Sequence, residues 1–118
     1  MTKEERFQNI FNELCTQFGL HVERIGNQQR AWYQEYDFVM NLNVDFADSI
    51  GTKIPSFQIP TKVMLNDYME VPRFFSYIEL NDVNWSDEEI IAKIDEVFGE
   101  YKRLLVEAKV NEAHKDFE

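Results

Sequence analysis

The chain has 118 residues, a formal charge of −10 and a single cysteine, Cys15. This length fits one α+β domain over residues 1–118 with a core that needs no staples, and one cysteine excludes an internal disulfide. The acidity excludes an electrostatic grip on nucleic acid or on an anionic membrane, because there is no basic patch to displace counterions.

No apolar run approaches the roughly 18 residues of a membrane span. The N-terminal stretch Met1 to Phe7 is charged where a signal peptide needs its apolar centre, so a cytoplasmic location is expected. The charge is uneven. Residues 85–118 carry five basic and ten acidic side chains, half of the net excess.

In chain order, Thr2 and Glu5 form a capping box that opens a helix. Phe7, Ile10, Phe11, Leu14 and Phe18 recur at helical spacing and give it one apolar face, with Cys15 beside it. Gly19 stands where a left-handed residue ends the helix. Residues 20–25 read as a short strand with Leu20 and Val22 inward. Gly26-Asn27 then supplies a turn.

The stretch from Tyr36 to Phe46 alternates strictly. Tyr36, Phe38, Met40, Leu42, Val44 and Phe46 are apolar, and Asp37, Asn41, Asn43 and Asp45 are polar, with Val39 the one exception. A period of two marks a strand with one buried and one wet face. Trp32 keeps the same parity. One long strand from about Arg30 to Phe46, bent near Gln34-Glu35, is therefore expected. On this reading Glu35, Asp37 and Asp45 face water, and Asp48 follows in the next loop.

Residues 53–60 have strand composition, but Pro55 and Pro60 cannot donate to a ladder, which predicts an edge strand. Residues 61–70 suit a helix and a strand equally. Arg73 to Leu80 reads as a strand with Phe74, Ile78 and Leu80 in phase, followed by a turn at residues 81–84. Ser86 and Glu89 form a second capping box between the staple residues Trp85 and Ile90. Ile90, Ile94, Val97, Tyr101, Leu104 and Ala108 continue one stripe to about His114. Such a helix spans about 40 Å. That is long for a domain whose radius of gyration should be about 13–14 Å. Its last turns, with Val106, Val110 and Phe117, must fray, fold back, or meet a partner or a second copy. The expected fold is α+β: an N-terminal helix, a mostly antiparallel sheet of three to five strands, and a long C-terminal helix.

The chemistry is bounded mainly by what is missing. Paired-cysteine, His-Glu-x-x-His and phosphate-loop motifs do not occur. His21 reads as a surface residue and Cys15 as core. No cofactor or metal is expected. Glu35, Asp37, Asp45 and Asp48 form the one carboxylate face on which acid–base or cation chemistry could rest. Glu89, Glu96, Glu100 and Glu107 recur along the last helix as anionic rows, interrupted by Lys93, Lys102 and Arg103. Tyr33, Phe75 and Tyr77 have the parity of an exposed aromatic patch. The expectation is a non-catalytic protein-binding module: a small acidic adaptor or inhibitor, acting on a partner with a basic surface, in one version by imitating nucleic-acid charge. The alternatives are a chaperone-like homodimer that holds a client and a carboxylate- or metal-dependent enzyme.

Overall fold

The structure, a computed structural model, describes residues 2–34, 37–47, 51, 53–66 and 71–115. Side chains are described for all of these except 45–47, 53, 66, 71 and 109–115. Glu35, Tyr36, Asp48, Tyr68 and Phe117 lie outside the described residues. So do the side chains of Asp45, Val110 and His114.

Helix α1 covers Lys3–Phe18. Five strands follow: β1 His21–Ile25, β2 Gln28–Tyr33, β3 Asp37–Ala47, β4 Lys53–Asn66 and β5 Val71–Glu79. A 3-10 turn at Leu80–Asp82 leads to helix α2, Asp87–Lys115. The strands form one antiparallel sheet in the order β1-β2-β3-β4-β5. This is the α+β arrangement expected.

Local chemistry sets the helix ends. The Glu5 amide donates to Thr2 Oγ1 at 3.1 Å, and Gly19 closes α1 at φ 64°. The Glu89 amide donates to Ser86 Oγ at 3.2 Å, and the Ser86 amide returns to Glu89 Oε1 at 3.4 Å. Ser86→Ala is therefore expected to lower stability by about 1 kcal/mol, read from the urea midpoint. A change below about 0.3 kcal/mol would place the effective start of α2 elsewhere.

Both helices cover one face of the sheet. Phe7, Ile10, Phe11 and Leu14 of α1 share one core with Met40, Leu42, Phe57 and Ile59 of the sheet. Ile90, Ile94, Val97, Phe98 and Tyr101 of α2 complete it. Arg6 ties the helices together, donating from Nε to Asp87 Oδ1 at 2.7 Å and from Nη2 to the Trp85 carbonyl at 3.0 Å. The radius of gyration is 16.3 Å and the long axis 59 Å, more elongated than a compact chain of this length. Helix α2 still packs at Ala108, while Val106 is 61% exposed.

Three expectations are corrected. The single strand from Arg30 to Phe46 is two strands. Gln34 adopts φ 57° after Tyr33, and β3 returns antiparallel to β2.

The alternation also slips. Trp32 pairs with Phe38, but Ala31 pairs with Met40, so Val39 is an extra residue in β3. A bulge of this kind reverses the side chains on one side of it. Val39 and Met40 are consequently both buried, Asp37 turns toward the helices at 7% exposure, and Trp32 and Phe38 turn to the helix-free face.

Finally, β4 is an interior strand despite Pro55 and Pro60. Its first part pairs with β3 only up to Gln58, and its second part pairs with β5 from Gln58 onward. Each proline thus lies where one neighbouring ladder has ended, which removes the conflict. Residues 61–66 are strand.

Candidate functional site

Helix α2 crosses the β4–β5 hairpin and leaves a concavity of about 300 Å³ beside it. Thr61, Lys62, Val63 and Phe75 of the hairpin and Glu96, Val97 and Glu100 of α2 line it. Three residues singled out from sequence, Phe75, Glu96 and Glu100, thus meet in one place although they come from different elements. Phe75 is held there by the Lys62↔Phe75 register. Glu96 and Glu100 lie one turn apart on the same helical face and flank Val97.

The charges are locally balanced. Arg103 donates from Nη2 to Glu100 Oε1 at 2.6 Å and from Nη1 to Glu107 Oε2 at 3.1 Å. Lys93 lies 3.6 Å from Glu96, whose side chain is 72% exposed. The Arg103 hydrogen bond, aided by its charge, holds the Glu100 carboxyl below its ordinary value. Glu89 is engaged as a helix cap. The acidic row of α2 is therefore an alternating ion-pair ladder rather than a bare anionic stripe. Glu96, with a long and exposed contact, is weakly held.

The aromatic patch divides. Tyr33 is not exposed. Its ring packs edge-on against Phe98 and Tyr101 at 5.4 and 5.3 Å, because the turn at Gln34 places it beneath α2. Tyr77 lies on the helix-free face, where its ring meets Phe38 at 5.5 Å and its hydroxyl donates to the Phe38 carbonyl at 3.1 Å. That bond links β5 to β3 where the β3–β4 ladder has stopped.

The carboxylate face is corrected at Asp37. One of its oxygens accepts from Arg73 Nη1 and the other from the Tyr101 hydroxyl. Both oxygens are thus committed inside the fold. Asn41 and Asn43 are partly buried rather than wet. Glu79, a residue sequence reasoning did not single out, is equally committed. It accepts from Ser56 Oγ, from the Phe57 amide at 3.0 Å and from Asn81 Nδ2 at 3.1 Å. Among the described residues no three His, Cys, Asp or Glu side chains gather as a metal site. Among the described residues no helix is long and apolar enough to cross a membrane. His21 is exposed on β1, and Cys15 is buried.

Burial raises several acids. Cys15 is pushed up to about 12 by desolvation. Tyr77 is pushed up to about 12 by desolvation and then by the Asp37 charge. Tyr101 is raised further by desolvation and by its bond to Asp37. An acid whose value rises on folding stabilises the fold below its unfolded value. It loses that contribution as pH climbs through the folded one. The urea midpoint is therefore expected to hold at about pH 8 and to fall by about pH 11. Alkylation of Cys15 at about pH 8 is expected only once urea opens the core.

A second concavity lies on the helix-free face, where β2, β3 and β4 meet. It measures about 280 Å³ and is lined by Gln28, Arg30, Trp32, Phe38, Asn41 and Gln58. Sequence parity hid it, since Trp32 and Phe38 read as core. The odd apolar residue Val39 was the signal that the parity slips. Compared with known protein families, curated proteins and solved structures, the chain matches none.

Proposed function

We propose that this chain is a non-catalytic binding module that receives a basic, partly apolar segment of a protein partner in the concavity between α2 and the β4–β5 hairpin. The observation that supports it is the meeting of Phe75, Glu96 and Glu100 around the apolar side chains of Val63 and Val97. An apolar lining takes the stem of a lysine or arginine side chain, and the carboxylates take its head. The surrounding charge of −10 draws such a segment in over the Debye length. Glu96 is available at once, whereas Glu100 must share or exchange Arg103.

This reading is preferred to imitation of nucleic acid. A mimic needs a run of uncompensated negative charge, and Arg103 and Lys93 interrupt the row at contact distance. Assembly through α2 keeps one supporting observation, the exposed Val106.

The test uses a fluorescent arginine- and leucine-containing peptide and its uncharged counterpart, measured by anisotropy. The basic peptide is expected to bind more weakly as salt rises. Glu96→Gln with Glu100→Gln is expected to cost at least about tenfold in affinity, equivalent to about 1.4 kcal/mol. Equal binding of both peptides, or an unchanged affinity in the double variant, would remove the proposal.

A further inference from the structure

Two polar side-chain atoms among the described residues are buried without a hydrogen-bond partner: the Trp32 Nε1–H and the Asn41 Oδ1. Both belong to residues lining the concavity on the helix-free face. One is a donor and the other an acceptor. Buried polar atoms are nearly always paired in folded proteins, so this pair of opposite kind in one concavity calls for an occupant. Arg30 lies between Gln28 and Trp32 along β2 and faces Asn41 across the ladder. Among the described residues its side-chain hydrogen bond is a long one, 3.5 Å from Nη2 to Gln28 Oε1. Among the described residues no carboxylate lies within ion-pair distance of it. An arginine with no acid partner among the described residues is notable in a chain with 22 acidic and 12 basic side chains. The aromatic wall beside it runs from Trp32 to Phe38 to Tyr77, with ring centroids 5.5 Å apart at each step.

These groups specify a ligand. A peptide unit carries one carbonyl and one N–H, the complements of the two unpaired atoms. A guanidinium without an acid takes a carboxylate. We infer that this concavity is a docking groove for an extended, carboxylate-bearing peptide segment of a protein partner. Its backbone amide meets Trp32 and Asn41, its carboxylate meets Arg30, and its apolar side chains lie on Phe38. Both unpaired atoms are buried, and exposed Gln58 and half-buried Arg30, which line the same concavity, are long enough to swing aside. A polynucleotide fits less well. Each of its many phosphates meets the net charge of the whole chain, whereas a single carboxylate needs only one guanidinium. The groove is separate from the α2 concavity and has the opposite charge preference, so either assignment can fail alone.

The experiment is selection of a random peptide library on the full chain, followed by 15N chemical-shift mapping of the enriched peptides. Peptides rich in Asp or Glu are expected to shift the Trp32 indole N–H resonance and to leave that of Trp85 in place. Arg30→Gln is expected to weaken them at least about tenfold. Trp32→Phe, which keeps a ring and removes the donor, is expected to do the same. The inference is overturned if the enriched peptides carry no acid, if Arg30→Gln binds them unchanged, or if an oligothymidylate displaces them. Enrichment of basic peptides alone, mapping to Glu96 and Glu100, would support the first site and overturn this one.

Discussion

Replacing Asp37 by alanine is expected to remove about 3 kcal/mol of folding stability. The carboxylate lies under α2 and accepts from both Arg73 and the Tyr101 hydroxyl. Its removal leaves the Tyr101 phenol without this acceptor and takes the Asp37 carboxylate from the Arg73 guanidinium. The Arg73 side chain keeps one-third of its surface in water, so its charge is partly solvated, and the loss falls at the low end for a buried pair. Tyr101→Phe removes one hydrogen bond to a charged group and is expected to cost about 1.5–2 kcal/mol. The double variant is expected to lose less than the sum, because both changes act on one bond. Urea denaturation of the four proteins in the cycle reads this directly. A loss below about 1 kcal/mol in Asp37→Ala would mark the cluster as a screened surface pair.

Phe98→Ala is expected to be more damaging still, at about 4 kcal/mol or roughly 15 °C in Tm. The Phe98 ring stacks on Phe18 of α1 at 4.4 Å and lies 5.4 Å from Tyr33 of β2. It also lies 5.1 Å from Phe74 of β5. One ring therefore joins both helices to two separate strands, and no neighbour can move into the space without breaking another contact. Phe98→Leu keeps most of the volume and is expected to cost well under half as much. Equal losses for the two variants would mean that shape, not cavity volume, dominates at this position.

Much of the fold was legible because its signals are local. Thr2 with Glu5, Ser86 with Glu89, and Gly19 fix helix ends through bonds within a few residues. Gly26 likewise takes the positive φ that its two-residue turn needs. The α2 stripe was legible for the same reason, and Ile90, Ile94, Val97, Tyr101 and Ala108 are all buried.

What was not legible depends on register. The alternation around Val39 looked continuous, but one extra residue turned Asp37 inward and Trp32 and Phe38 outward. That slip moved the predicted water-facing carboxylate into the core and created the helix-free groove. The prolines of β4 were misread because a proline excludes only one neighbour at one residue. The early end of each ladder is a property of three strands together. The first concavity had its residues named in advance, Phe75, Glu96 and Glu100, but not their meeting. That meeting depends on where α2 crosses the sheet, which no spacing within either segment encodes.

The most direct test of the binding-module account is affinity capture from lysate of the source cell at low and at high salt. Wild type is compared with a Phe75→Ala, Glu96→Gln, Glu100→Gln variant. The account predicts a basic protein held by the wild type at low salt, released as salt rises, and absent from the variant. A partner retained equally by both proteins, or no partner at either salt, would contradict it.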